Sequence, residues 1–249
     1  AVQASVSKNA ERVGIDPGSI VGYWPLWEKA GTALRSVVGG INATAVSAPY
    51  VNDSVETSGS TPSKIEWPLD TRLYSDTFSV LLNFAATKDG LSHHYFGNHL
   101  SQYNWVFETK SSNDIDFVVA TSGGWRKATV PAGSWGSDKD TILFGTVGDN
   151  AIKGYVGGIQ VGGTSGLIRH NTSYKIYAGA SHYYNTFSAA KFKQFAYFDC
   201  VLNAAQIAYL SDNPYFLLHR VAPVFYSVPQ SGPVTFKPYW ANQATRIAI

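Results

Sequence analysis

Apolar and polar residues alternate along much of this chain, and that pattern predicts strands rather than helices. The clearest strand covers 192–201 and is apolar on both sides. One face is expected to carry Phe192, Ala196, Phe198 and Cys200, and the other Phe195 and Tyr197. A strand that is apolar on both faces has to lie inside a sheet, so earlier strands are expected to flank it.

The period changes after this strand and predicts a short helix over 203–211. Asn203 is a suitable N-cap, and Gln206 three residues later completes a capping box. Leu202 and Ile207 are spaced to pack together as a hydrophobic staple. Asp-Asn-Pro at 212–214 is expected to end the helix.

Short strands separated by turn residues account for most of the remaining sequence. The segment 1–19 is polar and without periodicity, so it is expected to be an arm outside the core. The segment 89–99, with His93, His94 and His99, is expected to be a solvated loop rather than a metal site. About twelve strands are expected, at 20–27, 65–69, 77–85, 103–109, 115–120, 141–147, 153–161, 174–180 and 192–201 among others. The predicted fold class is all-β, a two-sheet antiparallel jelly-roll sandwich.

Composition narrows the class of protein. The chain has 249 residues, of which 14% are aromatic and only 14% charged, with 23 Gly and 11 Pro. A formal net charge of +2 is too small to attract nucleic acid or an anionic membrane. The sequence also contains no run of 18 apolar residues, which a helix needs to span a bilayer. The single cysteine, Cys200, forbids an internal disulfide and is expected to be a buried, unreactive thiol.

Three motifs resemble laminin-G-like domains of the concanavalin A-like superfamily. They are FDCVLNAAQIAYLSDNPY at 198–215, IVGYWPL at 20–26 and KGYVGGI at 153–159. The last resembles the YVDG hairpin of that family, with Gly157 in place of the usual Asp. The resemblance covers roughly residues 20–213 and implies a concanavalin A-like sandwich, with glycan binding by exposed aromatic residues as the expected activity.

The segment 214–249 differs from the domain before it. Five prolines, at 214, 223, 229, 233 and 238, alternate with aromatic residues, so this segment is expected to be an extended arm. Its apolar contacts are expected to come from Phe225, Tyr226, Phe236, Tyr239 and Trp240. The tail and the opening segment resemble those of laminin-G-like proteins encoded by tailed phages and prophages.

No pattern of catalytic carboxylates is visible. A retaining glycosidase of this fold would carry an E-x-D-x-x-E strand, and none of the Glu residues has an acidic residue two positions away. The pairs Asp114–Asp116 and Asp138–Asp140 are interpreted as turn caps. We therefore expect no enzymatic activity and no cofactor. The weaker alternative is a calcium ion held by Asp149 and Asn150, or by Asp138 with Asp140.

Two function classes remain open. The favoured one is a non-catalytic decoration or accessory protein at a phage virion surface, made in the host cytoplasm. It would contact the capsid, other virion proteins and copies of itself, with no nucleic acid or membrane partner. The alternative is a carbohydrate-binding lectin-like module or, less favoured, a glycan-cleaving enzyme. Glycans would stack on loop aromatics, namely Trp125, Trp135, Tyr183 and Tyr184. The favoured interpretation of these aromatics is that they are core or protein-contact residues.

Overall fold

The computed structural model describes residues 2–28, 30–51, 53–59, 63–98, 105–121, 123–166, 175–180 and 187–219. Within them, sixteen strands form two sheets whose pairings are all antiparallel. Sheet A contains β1 (Ile20–Trp24), β4 (Tyr50–Val51), β5 (Ser54–Ser58), β7 (Phe78–Ala86), β12 (Thr141–Gly148), β13 (Ala151–Val156), β14 (Ile159–Ser165) and β16 (Ala189–Phe198). Sheet B contains β2 (Ala33–Leu34), β3 (Ala43–Val46), β6 (Lys64–Glu66), β8 (His94–Gly97), β9 (Trp105–Thr109), β10 (Ile115–Thr121), β11 (Gly124–Val130) and β15 (Tyr177–Ala178).

The strand order is β14-β13-β12-β7-β16-β5-β4 in sheet A, with β1 also paired to β16, and β11-β10-β9-β8-β15-β6-β3-β2 in sheet B. The helices are α1 (Val2–Arg12) and α2 (Ala204–Asp212), and single 3₁₀ turns occupy Pro17–Ser19, Thr71–Leu73, Ala132–Ser134 and Phe216–Leu218. The predicted all-β sandwich of two antiparallel sheets is confirmed. None of the helices in the described ranges is long and apolar enough to cross a membrane.

Strand β16 lies inside sheet A, between β7 on one side and β1 and β5 on the other, as its two apolar faces predicted. The predicted assignment of its faces is wrong for Phe192 alone, because a bulge between Phe192 and Gln194 shifts the register against β7. Phe192 therefore joins Phe195 in the core between the sheets, where Phe195 meets Trp67 edge-on at 4.8 Å between ring centroids.

A second apolar cluster lies on the outer face of sheet A, beneath the two helices. Val6 and Ala10 of α1 pack there with Ile207 and Leu210 of α2, all almost fully buried. The expectation that residues 1–19 lie outside the core is therefore wrong. The short helix begins with the predicted capping box between Asn203 and Gln206 and ends at Asp212, one residue beyond the predicted range 203–211.

The beginning of the predicted C-terminal arm packs on its own sandwich. The Gln194 amide donates to the Pro214 carbonyl at 2.7 Å, and Phe216 and Leu217 are buried against α1. Residues 220–249, including Phe225, Tyr226, Phe236, Tyr239 and Trp240, lie outside the described residues. The folded unit thus extends to at least residue 219, six residues beyond the predicted boundary at 213.

The histidine segment contains a strand where a loop was expected. His94 begins β8, opposite Glu108 of β9, and is buried. His93 precedes the strand and pairs with Asp89 at 2.8 Å. No group of three potential metal ligands occurs among the residues that the structure describes, and His99 lies outside them.

Candidate functional site

A loop at one end of the sandwich turns a tryptophan outward. Pro25 follows β1, and Leu26 then adopts a positive φ of 51° while its side chain remains buried in the core. The next side chain, Trp27, points away from the core and is 49% exposed. A branched residue at positive φ is rare, and such strain is characteristic of functional sites.

Three hydrogen bonds fix the loop between Pro25 and Ser36. The Ala45 amide donates to the Thr32 carbonyl at 2.7 Å, which ties the loop to β3. At its base, the Tyr23 amide donates to the Ser36 hydroxyl at 3.2 Å. Across the loop, the Arg35 amide donates to Glu28 Oε1 at 2.7 Å. The loop is therefore held in shape before any ligand arrives, apart from Lys29, which the structure does not describe.

Beside Trp27 lies a groove of about 740 Å³, which we call the Trp27 groove. It is lined by Trp27, Glu28, Thr32, Arg35 and Ser36, with small residues completing its floor. This volume falls in the range of about 300–1,000 Å³ that is usual for small-molecule sites. An exposed indole beside hydroxyl, carboxylate and guanidinium groups is a suitable surface for a polar ring.

The two charged side chains of the groove, Glu28 and Arg35, differ in their exposure to solvent. Glu28 Oε2 and the Tyr50 hydroxyl are both buried, and neither makes a hydrogen bond to the residues that the structure describes. Burial, and secondarily the negative charge of Glu28, raise the pKa of Tyr50 to about 12. Arg35, by contrast, is exposed, and no hydrogen bond or ion pair among the described residues uses its guanidinium.

The aromatic residues expected to bind glycans are not brought together. Trp125 lies on the β11 hairpin and is 36% exposed, away from the Trp27 groove. Trp135 is buried: its indole donates to the Asn113 carbonyl at 3.0 Å, and the Lys88 ammonium lies 4.6 Å from its ring centroid. Trp135 is thus a core residue and not an exposed platform. Tyr183 and Tyr184 lie outside the described residues.

Asp149 and Asn150 form the two-residue turn between β12 and β13, both at positive φ, 49° and 59°. This is the conformation of a type I′ hairpin, which favours Asp and Asn for backbone reasons. Gly157 and Gly158 make the corresponding turn between β13 and β14, at φ 52° and 82°. The sequence signal at 149–150 is therefore explained by turn geometry.

The sequence search for catalytic carboxylates missed a pair that lies on two different strands. Glu108 of β9 and Asp116 of β10 are register partners, and both are buried. His94 Nε2 lies 3.6 Å from Glu108 Oε2, and Lys127 pairs with Asp116 at 3.0 Å. The interpretation of Asp116 as a turn cap is wrong, whereas Asp114 does accept from the Ala132 amide at 2.8 Å in a turn.

Trp27 was also missed, because the aromatic-rich segment 20–27 was predicted as one strand. The available signal was Pro25, which interrupts a strand ladder, followed six residues later by the turn residue Gly31. The left-handed conformation of Leu26 has no signal in the sequence, since leucine seldom adopts it.

No family model matches the chain, and no curated protein sequence matches it. Solved structures do match. A Trypanosoma rangeli sialidase in complex with 2,3-difluorosialic acid aligns with a TM-score of 0.67 and 12% identity, over 87% of this chain and 38% of that chain. The binding domain of Paraclostridial Mosquitocidal Protein 1 aligns with a TM-score of 0.64 and 12% identity, over 80% of this chain and 53% of that chain.

These similarities establish the fold. This chain spans less than two fifths of the sialidase and about half of the binding domain. The expectation that the chain is not an enzyme is contradicted, because solved sialidases share its fold. The expectation rested on the absence of an E-x-D-x-x-E strand, and a fold shared at 12% identity does not depend on that pattern.

Proposed function

We propose that this chain is a lectin-like module that binds carbohydrate through the Trp27 groove. The observation that carries the proposal is the half-exposed indole of Trp27 at the edge of a pre-shaped groove with polar walls. A sugar ring presents an apolar face of C–H groups that can stack on an indole, while its hydroxyls bond to surrounding polar groups.

The structural neighbours support this proposal in a general way. The sialidases act on a sugar, and the second neighbour is a binding domain. The motifs that resemble laminin-G-like domains point in the same direction. Because the chain spans only part of each neighbour, these similarities support the class of module and do not identify its ligand.

The test compares two exposed tryptophans in the same chain. Glycans bound by the wild type on a glycan array would be titrated calorimetrically against Trp27→Ala and Trp125→Ala. We expect Trp27→Ala to weaken binding about tenfold or more, because it removes the stacking surface, and Trp125→Ala to leave binding unchanged. Thermal unfolding of both variants would verify that each remains folded.

Two results would contradict the proposal. Loss of binding in Trp125→Ala but not in Trp27→Ala would move the site to the β11 hairpin. Binding of no glycan by the wild type would remove the lectin function itself.

That the protein is located at a virion surface remains a separate proposal. It rests on the resemblance of the opening segment and tail to phage-encoded proteins and on the aromatic residues of the arm, which lie beyond residue 219. Attachment to capsid neighbours, self-association and the particle location all stay predictions from the sequence.

A further inference from the structure

The Trp27 groove presents an unmatched positive charge to solvent. Arg35 directly follows the edge strand β2, in which Ala33 is exposed and Leu34 is buried. Alternation along the strand therefore places the Arg35 side chain on the same side as Ala33, toward the groove that both residues line. The guanidinium has no partner among the described residues, so its donors are available to a ligand.

The acidic residue of the groove does not cancel this charge at the surface. Glu28 Oε1 already accepts from the Arg35 backbone amide, and Glu28 Oε2 is buried. The carboxylate thus faces inward, toward the loop backbone and Tyr50, while the guanidinium faces outward. A ligand entering the groove meets the cation first.

We infer that the Trp27 groove selects sugars that carry a carboxylate, such as uronic or sialic acids, and that Arg35 is the residue that recognises the acid. This inference rests on the proposed lectin function and specifies its ligand class. Trp27 binds the face of the ring, and the planar guanidinium donates two parallel hydrogen bonds to the carboxylate. A neutral sugar can use the indole alone.

The experiment uses probes that differ only in the acid. Oligogalacturonate is compared with its methyl ester, and sialyllactose with its methyl ester, each titrated into the wild type, Arg35→Gln and Arg35→Lys. We expect the wild type to prefer the acidic member of at least one pair by about tenfold or more, as a charge-assisted hydrogen bond implies. Arg35→Gln should abolish the preference, and Arg35→Lys should restore part of it, because lysine keeps the charge and loses the fork.

Arg126→Gln serves as the matched control, since Arg126 is another exposed arginine next to an exposed tryptophan. It changes the net charge equally and should leave the preference intact. The preference of the wild type should also fall with added salt, because the site is open to solvent.

The possible outcomes distinguish the acid selectivity of Arg35 from the lectin function of the Trp27 groove. Equal binding of acid and ester, abolished by Trp27→Ala, would overturn the acid selectivity and leave the lectin function standing. An acid preference that survives Arg35→Gln, or is lost in Arg126→Gln, would overturn the role of Arg35. Binding of neither member of either pair, nor of any other glycan, would overturn both proposals.

Discussion

Leu26 adopts a left-handed backbone conformation although its side chain is branched, and this residue separates the core from the groove. Its side chain is 1% exposed, and that of its neighbour Trp27 is 49% exposed. Burial of a leucine contributes about 1.5–3 kcal/mol, which is enough to offset the cost of about 1–3 kcal/mol for such a conformation. Packing in the core thus holds the indole at the surface.

Cys200 lies beyond the end of β16 at Phe198 and is only partly buried, so the prediction of a buried thiol on that strand is wrong. The residue still offers a test of its surroundings. Burial raises the pKa of its thiol, and the hydroxyl of Ser19, 3.3 Å from the sulfur, opposes that shift. The thiolate fraction near pH 8 is therefore lower than in an exposed cysteine. We expect a disulfide reagent such as DTNB to label the native protein at least about tenfold more slowly than the urea-unfolded protein at pH 8. Equal rates would contradict the burial of this thiol.

At the scale of elements, α1 is attached to the start of the C-terminal segment by a buried amide. Asn9 donates to the carbonyls of Phe216 at 3.0 Å, Leu217 at 3.3 Å and His219 at 2.8 Å. Arg12 also lies over the Phe216 ring, 5.6 Å from its centroid. The first and last described segments therefore close over the outer face of sheet A together.

Replacing Asn9 with alanine should destabilise the protein by about 1–3 kcal/mol, because buried carbonyls lose their donor. Urea unfolding monitored by tryptophan fluorescence would measure the change in the free energy of unfolding. Glu11→Ala, an exposed position on the same helix, is the control for helix propensity and should change stability by less than about 0.5 kcal/mol. Similar effects from both substitutions would show that Asn9 does not hold the two segments together.

At the scale of the whole molecule, the spacing of the two sheets depends on a glycine. Gly145 of β12 in sheet A faces Phe117 of β10 in sheet B, and a Cβ at Gly145 would lie 2.6 Å from that ring. Both neighbours of Gly145 on the same face, Leu143 and Val147, belong to the core between the sheets. A side chain here would have to push the sheets apart or displace the ring.

Gly145→Ala should therefore cost about 1–3 kcal/mol of stability through overpacking. Gly163→Ala is the matched control, because a Cβ there would approach no atom closer than 3.5 Å, which is ordinary van der Waals contact. The double variant Gly145→Ala with Phe117→Leu should be more stable than the sum of the two single changes predicts, since the smaller side chain relieves the clash. Strict additivity in thermal or urea unfolding would mean that the ring does not set the spacing.

The sequence by itself determined the class of the fold and several local structures. Period-two alternation identified β7, β10, β12 and β16, because side chains on a strand face opposite sides whatever the partner strands are. The capping box between Asn203 and Gln206 was predictable because it involves only residues close in the chain. Such signals involve residues close in the chain, so they can be recognised without knowledge of the tertiary structure.

Only the tertiary structure decided the bulge in β16, the burial of α1 and the composition of the candidate site. The bulge follows from pairing with β7, and the weakly apolar face of α1 is buried because α2 and the 3₁₀ turn at Phe216–Leu218 lie beside it. Trp27 and Arg35 line the same groove because the loop closes on Tyr23 and Ala45. Glu108 and Asp116 become neighbours through strand register. These features depend on contacts between distant residues, and periodicity along a single strand carries no information about them.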